Sequence, residues 1–146
     1  MRAGKCIRNL AAALLIALLP TTLAIAQSDF DSKLEEFNEI AVSSEMVMVP
    51  MRDGTTLATN VYYPKHQPGP FPVIFVKTPY LFGPLTESSV EFPLEAIKRG
   101  YAYVVQNERG HFFSEGNYDI LGAPITDGYD AIDWMTRQSW SNGKVG

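Results

Sequence analysis

The stretch "FPVIFVKTPY", Phe71 to Tyr80, decides how this chain is built. Phe71–Val76 is a short apolar run with no polar interruption, the pattern of a strand buried on both faces. Lys77-Thr78-Pro79-Tyr80 leaves that strand and leads into a loop through Gly83-Pro84. Phe92–Arg99 then predicts a helix, with Pro93 in its first turn, Gly100 just past its end, and Val90, Leu94 and Ile97 along one side. Tyr101–Gln106 (YAYVVQ) repeats the buried-strand pattern. Two buried strands separated by a helix specify a parallel pair with the helix crossing over it.

The pattern extends in both directions. Upstream, Val47, Val49 and Met51 alternate with other residues, as do Leu57, Thr59 and Val61, and Arg52-Asp53-Gly54 stands between them. That reads as an antiparallel hairpin. Lys65–Pro72 is a proline-rich loop carrying His66. Ahead of the hairpin, Gln27–Ala41 is polar and acidic, with Phe30, Leu34, Phe37 and Ile40 at helical spacing. It predicts a leader helix or loosely docked arm within a polar segment over 27–44. Downstream, Asn107–Gly122 is a long loop with three glycines. Thr126-Asp127 is expected to cap a helix running to about Gln138, with Ala131, Ile132 and Met135 buried and Trp134 flanking them. Ser139–Gly143, with its Asn-Gly pair, reads as a turn, and Lys144 as the start of another strand. The order is an antiparallel hairpin, then βαβα and the start of a further β: an α/β chain with a mixed sheet over 45–146.

The first 26 residues stand apart. Met1–Asn9 carries Arg2, Lys5 and Arg8 and no acid, Leu10–Leu19 is continuously apolar, and Ala24-Ile25-Ala26 has small residues at the cleavage positions. This is the pattern of a signal peptide over 1–26, cut between Ala26 and Gln27. Its apolar run is short of the roughly 20 residues a membrane span needs. Cys6 precedes that run, so a lipid anchor is not expected. Removing Arg2, Lys5 and Arg8 from the 12 Lys+Arg of the chain leaves 9 against 16 Asp+Glu, a net charge of −7 on a cysteine-free mature chain. Export to the periplasm or medium fits a chain that folds without disulfides. The acidic balance argues against a nucleic-acid binder, which needs Lys and Arg clusters to neutralise phosphate. No membrane partner is expected after cleavage.

Open α/β sheets place their sites at the C-terminal ends of the strands, where the loops Lys77–Pro84 and Asn107–Gly122 leave. In an α/β-hydrolase one such loop helps to form the oxyanion hole, and a later strand-to-helix turn, G-x-S-x-G, carries the nucleophile. "VMVPMRDGTTLATNVYYP", "FPVIFVKTPY", "GYAYVVQNERGHFFSEGNY" and "DGYDAIDWMTRQSWSNGKVG" resemble, in order, consecutive blocks of the X-prolyl dipeptidyl-peptidase-like α/β-hydrolases, the group of cocaine esterase-type enzymes and α-amino-acid ester hydrolases. The resemblance covers about Met46 to Gly146. It implies the N-terminal part of an α/β-hydrolase sheet, with the nucleophile turn expected after "GKVG" and the triad Asp and His later still. It further implies that Tyr80 donates its hydroxyl to the oxyanion of an acyl-transfer reaction on an ester, amide or short peptide. A neutral donor fixed where negative charge develops contributes about 3–4 kcal/mol. The alternative is a secreted binding or interaction module without catalysis. An isolated piece of this kind is expected to fold poorly, because its sheet edge lacks cover.

The other candidates are weaker. Arg109 and Glu115 match the family's "RG…SEG" loop and are expected to hold that loop together. The family usually has an acid where Asn107 stands. His66 reads as a surface residue. His111 precedes the expected serine position, and in this fold the histidine follows it. Ser88, Ser89 and Ser114 lack the nucleophile context. Asp127, Asp130 and Asp133 at i, i+3, i+6 read as a solvated helix face. No Cys/His metal motif or phosphate-cradling glycine motif occurs, so no metal and no cofactor is expected.

Overall fold

The computed structural model describes residues 29–82, 89–119 and 125–146. The signal-peptide reading, Ser88 and the Gly83-Pro84 loop lie outside these. Helix α1 (residues 29–40) leads into β1 (Ala41–Pro50) and β2 (Thr56–Pro64), joined by the tight turn at Arg52-Asp53-Gly54. β3 (Phe71–Thr78), α2 (Glu91–Lys98), β4 (Ala102–Asn107), α3 (Ile125–Thr136) and β5 (Ser141–Val145) follow. The five strands form one sheet in the order β1-β2-β4-β3-β5. β1 and β4 run antiparallel to β2, whereas β3 lies parallel to both β4 and β5. This is the mixed sheet expected of the N-terminal part of an α/β-hydrolase.

Two cores cover its two faces. On one, Ala131 and Met135 of α3 pack on Leu57, Val61, Val73 and Val104. On the other, Phe37 of α1 and Leu94 and Ile97 of α2 pack around Tyr62. Phe37 is 1% exposed and meets the Tyr62 ring edge-on at 5.3 Å. Burying one such side chain is worth about 1.5–3 kcal/mol, so α1 is a docked helix. Phe30, Leu34 and Ile40 flank the same cluster, as their spacing predicts.

Four details differ from the expectations. β3 buries Phe71 and Val73 but leaves Ile74, Phe75 and Val76 only half-buried; on the α2 face a groove lies beside Ile74, between Phe92 and Tyr101. Ile132 is exposed: it sits one residue, and so about 100°, past Ala131 on the helix. Asn142-Gly143 lies inside β5 as an irregularity against β3, with Gly143 at φ +82°, and Asn142 Oδ1 accepts the Lys144 amide at 3.0 Å. Asp127 is not a cap but a buried residue within α3.

Candidate functional site

β3 and β4 end side by side, with Thr78 and Asn107 as register partners. Their two loops are built in different ways.

The loop after β4 is tied down by charge. Arg109 grips Asp127 with two bonds, Nε to Oδ2 at 2.9 Å and an NH2 nitrogen to Oδ1 at 2.7 Å. Its NH1 nitrogen reaches Thr55 Oγ1 at 2.6 Å and Asp53 Oδ2 at 2.9 Å in the β1–β2 turn. The Arg109 and Asp127 side chains are 11% and 2% exposed. Bonding to Asp127 pushes the guanidinium pKa further up. Bonding to Arg109, and then to the Thr55 amide, holds Asp53 below the usual carboxylate range. Asp127 therefore does not belong to a solvated face. Asp130 and Asp133 pair with Arg52 and Arg137. Glu115 bonds the backbone of β2, not Arg109: its amide donates to Thr56 O and its Oε2 accepts the Thr56 amide. Both residues hold the loop, as expected. The glycines of "ERGHFFSEG" have a steric reason. Gly110 (φ +71°) carries no Cβ where one would overlap the backbone of Asn117 and Tyr118, and Gly116 (φ +87°) backs onto Arg109.

The described part of the loop after β3 is held through the main chain of Tyr80. The Tyr80 amide donates to Thr78 Oγ1 at 3.1 Å, and Tyr80 O accepts from Asn107 Nδ2 at 2.8 Å. The Tyr80 ring is 78% exposed. Lys77 is half-buried on β3 and lines a recess of about 220 Å³ together with Glu108, Arg109, Tyr118 and Asp127, among others. Burial lowers its pKa.

The remaining candidates do not assemble a catalytic group. Ser114 is buried, accepting the Ala58 amide and donating to Asn107 O, each at 2.9 Å. His111 packs edge-on against the Tyr118 ring at 3.9 Å, and its Nε2 is buried without a hydrogen-bond partner among the described residues. His66 is exposed beside the Glu39 carbonyl, following the end of β2 that lies opposite the Tyr80 edge. Ser89 lies just ahead of α2. Among the described residues no group of three His, Cys, Asp or Glu side chains could hold a metal, and no helix is long and apolar enough to cross a membrane. The sequence reading missed the roles of Thr78, Asn107 and Asp127. Only the placement of Thr78 and Asn107 at the ends of predicted parallel strands could have signalled the first two.

Residues 53–146 match the pattern of the X-Pro dipeptidyl-peptidase (S15) family. The chain belongs to that family. It is 41% identical over 104 residues to the cocaine esterase of Rhodococcus sp. (strain MB1 Bresler), covering 68% of this chain and 18% of that protein. An α-amino acid ester hydrolase structure superposes with a TM-score of 0.58 at 33% identity, over 73% of this chain and 20% of the other. A CocE/NonD family hydrolase from Staphylococcus aureus superposes with a TM-score of 0.63 at 26% identity, over 73% and 22%. The chain thus spans about a fifth of the length of these relatives. The S15 match begins at Asp53, in the turn that Arg109 grips.

Proposed function

We propose that this chain is the N-terminal part of an exported serine hydrolase that cleaves an ester, amide or short peptide by acyl transfer. The observation that carries the reading is the presentation of Tyr80: an exposed phenol on a fixed main chain at the C-terminal end of β3, in a chain of the S15 family. A serine beyond Gly146 attacks the acyl carbon, and a later His–Asp pair moves its proton. The carbonyl π electrons move onto oxygen, and the Tyr80 hydroxyl donates to that oxyanion. The leaving alcohol or amine takes the proton back from the histidine, and water then releases the acid by the reverse sequence. β5 runs parallel to β3, and Gly146, just past its end, donates to Val73 O and accepts from the Phe75 amide. A strand continuing in that direction heads for the Tyr80 edge, which supports the reading.

The test has two stages. Reading the coding DNA past codon 146 is expected to show G-x-S-Y-x-G within a few codons, and a stop codon there would refute the proposal. Tyr80→Phe in the full-length product is expected to lower kcat by about 10²–10³-fold with KM little changed. Export is tested by N-terminal sequencing of the mature protein, which is expected to begin at Gln27.

A further inference from the structure

We infer that the Thr78 hydroxyl positions the Tyr80 donor, an inference that rests on the oxyanion role proposed above. Thr78 is the last residue of β3 and is held in the sheet: it is the register partner of Asn107, and its carbonyl accepts the Glu108 amide at 3.1 Å. Its side chain reaches along the chain instead. Oγ1 accepts the Tyr80 amide, two residues on, at 3.1 Å. The last residue fixed by the strand therefore catches the residue that carries the phenol.

The bond acts on the torsions that matter. Peptide planes and the Pro79 ring leave only Thr78 ψ and Pro79 ψ soft between the Thr78 Cα and the Tyr80 amide. Pro79 also biases Thr78 toward extended geometry. The bond from the Tyr80 N–H back to Oγ1 closes a ring that contains both torsions, and the β-branched Thr78 side chain is itself stiff about χ1. The path from the sheet to the Tyr80 Cα is thus set by Thr78, while the Tyr80 ring stays 78% exposed. The same bond commits the Tyr80 N–H. Oxyanion holes of α/β-hydrolases commonly take an N–H from the loop after this strand, and here the donor left to Tyr80 is its hydroxyl. The bond lies at an exposed position, where water can replace Oγ1 at little cost in stability. What Thr78 supplies is placement, and a donor must sit within about half an ångström of the developing charge to act on it.

The experiment is steady-state hydrolysis of a chromogenic acyl ester by the full-length gene product, with urea titration of each variant. The variants are Tyr80→Phe, Thr78→Val, Thr78→Ser, Thr78→Asn and Thr78→Val combined with Tyr80→Phe. Thr78→Val keeps the shape and removes the acceptor. It is expected to lower kcat about 3–10-fold, the range one neutral hydrogen bond can carry. KM should stay within about twofold, since Thr78 acts through Tyr80 and not on the substrate, and the urea midpoint should not move. Thr78→Ser, which keeps the acceptor, and Thr78→Asn, whose Oδ1 closes the equivalent turn, should recover kcat to within about twofold of the parent. In the Tyr80→Phe background Thr78→Val should cost no more than about twofold. Thr78→Ala takes the place of Thr78→Val if the latter fails to fold. Parental kcat without the acceptor beside a slow Tyr80→Phe, a loss that neither Ser nor Asn recovers, or effects of Thr78 and Tyr80 that multiply would each overturn the inference and leave the oxyanion role standing. A Tyr80→Phe variant as fast as the parent would overturn both.

Discussion

The ends of β3 and β4 are neighbours in register and opposites in construction. Past β4, Arg109 spends every contact on protein: Asp127, Asp53 and Thr55. Past β3, Tyr80 has its main chain bonded and its side chain in water. A satisfied, buried charge holds a loop in place and is unavailable for chemistry. A fixed backbone under a free polar side chain is pre-organised for it. The contrast separates scaffold from site along a single sheet edge.

Removing scaffold and removing site should therefore give different losses. Asp127→Ala leaves the Arg109 guanidinium buried without its principal partner and is expected to cost about 3–5 kcal/mol in the unfolding free energy of the full-length protein, read by urea titration. Tyr80→Phe should leave that titration unchanged while slowing hydrolysis by the 10²–10³-fold given above, about 3–4 kcal/mol in the barrier. A stability loss on Tyr80→Phe would break the distinction. Ser114→Ala removes the link between β2 and Asn107 and strands two buried backbone groups, at about 1–3 kcal/mol. Because it touches both regions, it should also lower kcat modestly. The smallest effect sharpens the scaffold side. Asp53 and Asp130 are held below the usual carboxylate range by Arg109 and Arg52. A depressed carboxylate contributes stability above its unfolded value, near pH 4, and loses it as pH falls through the folded value. The unfolding midpoint should decline below about pH 4. Arg52→Ala, at an exposed pair, should remove only Asp130's part of that decline and shift the neutral-pH midpoint little.

What could be read from the sequence follows from the range of the interactions. The β1–β2 turn, α2 with Gly100 beyond it, and the αβ order are local patterns, and they are present in the structure. β1 begins at Ala41, ahead of the alternation that starts at Val47. The register shifts between Ser44 and Val47, with Met46 at φ 55°, and this interrupts the period of two. Asp127 carries the same letter as Asp130 and Asp133, and only Arg109, 18 residues earlier, makes it a buried residue. The turn read at Asn142-Gly143 became a strand irregularity because β3 was there to pair with it. Tyr80 was found through resemblance. The Asn107 amide that holds it belongs to a neighbouring strand, and strand adjacency is not written in either segment alone.

The strand order has a kinetic consequence. β4 lies between β2 and β3 in the sheet but follows both in the chain. Until Ala102–Asn107 is in place, the β1–β2 hairpin and β3 each present an unpaired backbone edge, and no contact joins them within the sheet. The hairpin can close early, since its partners are close in sequence. The two halves of the sheet wait for an insertion that closes two edges at once and carries a long loop-closure cost. Folding is expected to be paced by β4, and the interval before its insertion is when the open edges are exposed to pairing with other chains.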